Sequence, residues 1–177
     1  MTKTDDFWVF GYGSLMWRPG FPFLDQHRAV AHGYHRQACV FSITYRGTPE
    51  QPGLVVGLAP GGSCRGIAFR VAEKDRADVI GYLDERELVT DVYVPKTLSV
   101  TLDDGRKVAA RGYVADPHHK QYAGHLPLAE KAAVVRRGTG REGRSRDYIA
   151  NVVTHLDEFG INDGPMHALL KLADDGD

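Results

Sequence analysis

Apolar positions come in two rhythms along the chain. Through most of the first two thirds they cluster in short strand-like runs, and in the last third they recur every three to four residues. Phe7-Trp8-Val9-Phe10 is an aromatic and β-branched run ended by Gly11-Tyr12-Gly13-Ser14, which predicts a strand entering a glycine turn. Ala29 to Phe41 is mixed, with Val30, Tyr34, Val40 and Phe41 favouring strand. Leu54 to Ala59 is a clearer strand. Pro60-Gly61-Gly62-Ser63 predicts a turn, and Gly66 to Val71 the returning arm of a hairpin. From Glu73 the period changes, and Ile80, Leu83 and Glu87 fall at i, i+3 and i+7 on one helical face. Leu98 to Leu102, the turn Asp103-Asp104-Gly105 and Val108 to Ala115 predict a second hairpin.

The rest reads as helix. Leu126-Pro127 opens one helix, with Ala129, Ala132, Ala133 and Val134 inward. Ile149, Val152, Val153 and Leu156 mark the buried stripe of another, with Gly160 as its C-terminal stop. Asp163 and Pro165 start a short final helix ending near Leu172, and Ala173 to Asp177 reads as a frayed tail. Strands first and helices late predict an α+β fold. The length, 177 residues, suits a single domain spanning 1–177, with its core at about 7–170.

Composition narrows the function classes. A hydrophobic content of 42% and a charged content of 25% describe an ordinary globular chain. A formal net charge of −1 gives no global attraction to nucleic acid or anionic membrane. No apolar run approaches the roughly 18–20 residues of a membrane span. The polar, acidic run Met1 to Asp6 does not resemble a secretory signal, and two cysteines make neither a disulfide framework nor a zinc pattern. The cytosol is the expected compartment.

Two segments carry candidate chemistry. In Gly11-Tyr12-Gly13-Ser14-Leu15, two glycines let backbone N–H groups face a concavity, a nest suited to a carboxylate or an oxyanion. Met16 stands where a dinucleotide fingerprint needs its third glycine, and no Gly-Lys-Ser/Thr follows, so neither nucleotide motif fits. A plain strand-ending turn is the alternative. Glu87 shares a helical face with apolar residues, so burial should raise its pKa toward the range useful for proton transfer. The alternative is a helix-ending glutamate paired with Arg86 at the surface. His118-His119 and His32/His35 do not make convincing metal sites. Cys39 and Cys64 read as buried small side chains. The arginines from Arg136 to Arg146 read as a solvated interhelical loop rather than an anion site.

Taken in order, these pieces resemble one family. Trp8 to Trp17 is similar to the signature start of the ChaC-type glutathione-specific γ-glutamylcyclotransferases. Gly33-Tyr34-His35-Arg36, Tyr45-Arg46-Gly47-Thr48 with Gln51-Pro52-Gly53-Leu54, and Gly66 to Val71 resemble the blocks that follow. Arg86-Glu87-Leu88 stands where the family carries its catalytic glutamate, and Tyr122-Ala123-Gly124 and Asp147-Tyr148-Ile149 fit the helical end. The chain departs at Thr90-Asp91-Val92, where many members have two glycines, although Tyr93 is kept.

The resemblance implies a small, mostly antiparallel β-barrel surrounded by helices. It implies a small-molecule γ-glutamyl substrate, glutathione, held by Tyr12, Gly13, Ser14 and Leu15, with Glu87 as the acid/base. It also implies no metal and no organic cofactor. Arg46 and Tyr113 are further candidates for substrate contact, Tyr113 being equally readable as a core aromatic. Three rival readings stand beside this one: the same chemistry on other γ-glutamyl compounds, a non-catalytic γ-glutamyl binder, and a nucleic-acid module using the arginine-rich loop.

Overall fold

A computed structural model describes residues 6–176; Met1 to Asp5, most of the polar N-terminal run, and Asp177 of the tail lie outside the described residues. The elements are β1 (Phe7–Gly11), β2 (Asp25–Ser42), β3 (Gly53–Val71), α1 (Arg76–Glu87), β4 (Tyr93–Leu102), β5 (Lys107–Ala115), α2 (Leu128–Arg137), β6 (Thr139–Gly140), β7 (Gly143–Arg144), α3 (Ser145–Glu158) and α4 (Gly164–Asp175). A single 3-10 turn, Ser14–Met16, follows β1, and another, Glu73–Asp75, precedes α1.

Strands β1 to β5 close into a barrel in the order β1-β3-β2-β4-β5, the α+β architecture expected. Strand β1 runs antiparallel to β3, from Phe7 opposite Val71 to Gly11 opposite Ile67, and parallel to β5, with Trp8 opposite Ala110. All five of its residues are buried, so β1 reads as an unbroken apolar run rather than an alternation. Strand β2 pairs antiparallel with β4, from Ala29 opposite Leu102 to His32 opposite Ser99.

The expected reversal at Pro60-Gly61-Gly62-Ser63 does not occur. Gly61 (φ 100°) and Gly62 (φ 70°) are left-handed, yet β3 continues through them to Val71. Two left-handed glycines redirect the backbone locally, and β2 running alongside lets pairing resume instead of ending the strand. The second hairpin forms as expected: Gly105 (φ 88°) turns the chain, and Leu102 N–H donates to Arg106 O at 2.8 Å.

The chain divides into two compact units. The first comprises Met1–Arg36 and Pro60–Val114, and the second Gln37–Ala59 and Ala115–Asp177. In the first, α1 buries Val79 and Leu83. The inward row therefore runs Val79-Leu83-Glu87 at four-residue spacing, with Ile80 only half-buried, and it still ends on Glu87.

In the second unit, α2, α3 and α4 pack on one another. The inward face of α2 is Lys131, Ala132 and Val135, while Ala129 is exposed, because the helix starts at Leu128 and is rotated from the face its alanines suggest. Ile149, Val152, Val153 and Leu156 of α3 are buried as expected, and Gly160 takes the left-handed turn (φ 70°) after the helix. Asp163 caps α4 by accepting from Met166 N–H, but the helix extends to Asp175. Ala173 is buried and its carbonyl accepts from Arg136 Nε at 3.0 Å, so the expected frayed tail is helical up to Asp175. Ser145 is fully buried and both donates to Leu54 O (2.8 Å) and accepts from Leu54 N (2.9 Å), tying the start of α3 to β3.

Candidate active site

The glycine loop and the helix bearing Glu87 lie in the same unit, and a small set of contacts fixes each. Loop Tyr12–Leu15 leaves β1 and tightens into the 3-10 turn, whose Met16 N–H donates to Gly13 O at 2.9 Å. Tyr12 and Leu15 are buried; the Tyr12 hydroxyl donates to Tyr113 O at 2.9 Å, pinning the loop to β5. Among the described residues, none accepts a hydrogen bond from the backbone N–H of Gly13, Ser14 or Leu15. The turn thus leaves three backbone donors without an internal acceptor among the described residues.

Arg36 supports the loop from β2. Only 6% exposed, it donates from Nε to Tyr12 O (2.7 Å) and from Nη2 to Arg65 O (2.6 Å). Sequence reasoning gave this residue no role. The available signal was its place two residues before Ala38 and four before Val40, on the inward row of a strand.

Glu87 is the last residue of α1, and its side chain is 18% exposed. Burial raises its pKa above the ordinary carboxylate value, and the Arg86 guanidinium opposes that shift. Arg86 Nε lies 3.8 Å from Glu87 Oε1, too far for a hydrogen bond, and among the described residues no donor satisfies the Glu87 carboxylate. Both sequence readings therefore hold in part. Glu87 does end its helix beside Arg86, but it is enclosed and its oxygens remain available to a ligand.

Arg86 also faces the loop. Its Nη2 donates to Ser14 Oγ at 2.8 Å, and its Nη1 donates to Arg18 O at 2.7 Å and to the Tyr82 hydroxyl at 3.1 Å. Ser14 and Glu87 thus address one guanidinium. One turn earlier on α1, Asp84 accepts from Arg111 Nη2 (2.9 Å) and from the Tyr113 hydroxyl (2.7 Å). Burial alone would raise the Asp84 pKa, but these two donors outweigh it and hold the group below its usual value. Burial pushes the Tyr113 phenol up, so its hydroxyl keeps its proton. Asp84 is thus held in its ionised form by its neighbours, whereas burial favours the protonated form of Glu87.

The other candidates have partners of their own. The Tyr113 ring is 1% exposed, and its hydroxyl is committed to Asp84 and Arg111. Arg46 belongs to the second unit, where its guanidinium lies over the Tyr148 ring and donates to Arg144 O at 3.4 Å. Arg136, Arg141 and Arg146 engage Ala173 O, the Tyr45 ring and Asp174, so much of the arginine cluster is structural. Cys39 and Cys64 are buried free thiols. Among the described residues, His27, Asp103 and Asp104 form one group whose potential ligand atoms converge within 4.8 Å. Asp104 there binds Arg106 and His27 contacts Asp103, so a guanidinium already supplies the positive charge.

The closed five-stranded barrel with its helices is the fold of solved γ-glutamyl cyclotransferases. The ChaC-like family model matches residues 7–175, and the chain belongs to that family. It is 33% identical over 163 residues to the glutathione-specific γ-glutamylcyclotransferase of Escherichia coli, covering 92% of this chain and 71% of that one. It is 30% identical over 157 residues to human glutathione-specific γ-glutamylcyclotransferase 1, covering 86% and 71%. A crystal structure of the yeast γ-glutamyl cyclotransferase specific to glutathione superposes with a TM-score of 0.86 at 21% identity, covering 97% of this chain and 96% of that one.

Proposed function

We propose that this protein degrades glutathione by cyclising its γ-glutamyl group to 5-oxoproline and releasing cysteinylglycine, with Glu87 as the acid/base. The observation that carries this assignment is an enclosed, unsatisfied carboxyl in a ChaC-family chain, joined through Arg86 to a loop with three free backbone donors.

The chemistry asks little covalent work of the protein. The α-amine of a γ-glutamyl group is a few bonds from its own amide carbonyl, so the site must fold the substrate, and well-oriented intramolecular attack is worth up to about 7–11 kcal/mol. The attacking nitrogen starts as an ammonium and ends as a lactam N–H, so it loses two protons. The leaving nitrogen starts as an amide N–H and ends as an ammonium, so it gains two. Glu87 accepts a proton from the ammonium, the neutral amine bonds to the carbonyl carbon, and the protonated carboxyl returns a proton as the old C–N bond breaks. A second proton crosses in the same direction to complete the balance, and no water is consumed. Such a shuttle contributes on the order of 10²–10⁴-fold. Backbone donors at Gly13 to Leu15 hold the glutamyl carboxylate or the developing oxyanion, the latter worth roughly 3 kcal/mol per donor.

Tyr12 and Leu15 shape the loop, and Ser14 presents its hydroxyl. Tyr113 acts from behind, through Asp84. The protein works in the cytosol as one catalytic domain, without nucleic acid or membrane as partner. Among the described residues, no helix is long and apolar enough to cross a membrane.

Incubating purified protein with glutathione tests the assignment. 5-Oxoproline and cysteinylglycine should appear in equal amounts, faster than the products from a panel of γ-glutamyl amino acids and amines. Stronger turnover of a panel member would move the substrate and keep the chemistry. Tight glutathione binding without products would make the protein a binder.

A further inference from the structure

Arg86 is well placed to act on both halves of the site. It sits between the acid/base and the loop, and its three nitrogens point three ways. Nη1 reaches the segment after the 3-10 turn, at Arg18 O (2.7 Å) and Pro19 O (3.4 Å), and the Tyr82 hydroxyl as well. Nη2 bonds Ser14 Oγ, and Nε faces Glu87 Oε1. A planar guanidinium fills these directions at once, which a lysine ammonium on its flexible stem does not.

We infer that Arg86 is a positioning residue, whose guanidinium holds the Tyr12–Leu15 loop and the Glu87 carboxylate in one fixed geometry. The inference rests on the cyclisation proposed above. Because Ser14 Oγ accepts from Arg86, the Ser14 hydroxyl proton is left to point at substrate. The same cation lies close enough to favour the ionised form of Glu87, which must be a base before it can be an acid. Of the other charged groups at this end of α1, Asp84 is engaged with Arg111 and Tyr113, Glu85 is exposed, and Arg18 meets Arg86 only through its backbone carbonyl.

The test compares Arg86→Lys and Arg86→Gln with the wild-type protein, using initial rates on glutathione across pH and a carbon-13 NMR titration of the Glu87 carboxyl. The lysine variant keeps a charge and loses the fork, so KM should rise about tenfold or more while the acid limb of kcat/KM stays within a few tenths of a pH unit. The glutamine variant loses both, so KM should rise similarly and the acid limb and the NMR midpoint should move together to higher pH. Unchanged KM in both variants, or an unmoved Glu87 midpoint in the glutamine variant, overturns the inference. Should Arg86→Gln fail to fold, Arg86→Lys still decides through its KM. Wild-type protein inert toward glutathione would sink the proposed function, whereas the NMR midpoints would still report whether Arg86 governs Glu87.

Discussion

The Tyr113 hydroxyl donates to Asp84 Oδ1 at 2.7 Å, and this contact ties strand β5 to the helix that ends, three residues later, on Glu87. A phenol that looked like a candidate for touching substrate is thus bonded to the helix that carries Glu87. Tyr113→Phe should lower stability by about 1 kcal/mol, less than is usual for a hydrogen bond to a charged group because Asp84 is partly exposed and keeps Arg111. Turnover at saturating substrate should stay within a few fold. Abolished turnover at unchanged urea midpoint would instead put the hydroxyl on the substrate.

Glu87→Gln should reduce kcat on the order of 10²–10⁴-fold, because an amide does not accept the proton. It should also stabilise the protein at neutral pH. Folding raises the Glu87 pKa, so the stability linked to its protonated form is complete below the ordinary value of 4.5 and is lost as pH rises through the folded-state value. Urea midpoints at pH 4 and pH 7.5 should converge in the variant relative to wild type.

The acid limb of wild-type kcat/KM should fall above pH 4.5, since burial raises the carboxyl that must be ionised. Added salt should move that limb little, because an enclosed group is poorly screened. A limb at or below 4.5 would remove Glu87 from the role of base.

Gly20 is left-handed (φ 72°), and a Cβ there would run into the Tyr82 hydroxyl that contacts Arg86. Gly20→Ala should therefore cost more than the roughly 1–3 kcal/mol of a strained backbone alone, and should raise KM as Arg86 is displaced. Gly105→Ala is the control: it has φ 88° with open space around the added carbon, so only the conformational cost applies and KM stays put. Equal thermal shifts in the two variants would contradict this account.

His167 bridges α4 to α3, with Nδ1 2.7 Å from Asp163 O and Nε2 2.8 Å from Asp157 Oδ1. The Asp163 carbonyl and then the Asp157 carboxylate raise its pKa. The resulting stability is present below the ordinary value of 6.5 and fades as pH rises through the folded-state value. His167→Gln should flatten that slope between pH 6 and 8 in thermal melts. The effect should be small, because both partners are exposed.

Local signals carried much of this structure into the sequence. The β4–β5 hairpin was legible because Asp103-Asp104-Gly105 supplies its own turn chemistry, and α3 because its four buried residues repeat at helical spacing. The glycine loop and Glu87 stood out through family blocks more than through pattern. The failures share a cause. Whether Gly61-Gly62 reverses a chain or bends a continuing strand depends on the neighbouring strand, which no local window contains. The burial of Lys131 instead of Ala129 depends on how α2 rolls against α3 and α4. Arg36 drew no role and Arg86 only that of a surface partner because their acceptors are backbone carbonyls and a hydroxyl distant in sequence, none of which leaves a trace in composition.

Both cysteines are sealed inside the protein: Cys39 is 0% exposed, with its thiol pushed up to about 12, and Cys64 is 3% exposed. On the cyclisation proposed above the protein would also meet the tripeptide thiol's oxidised dimer, and a reactive cysteine would be capped by exchange with it. With both thiols buried, this chain offers no accessible cysteine for that exchange. Its rate on the proposed substrate should then respond to the surrounding redox pool only through the amount of reduced tripeptide present.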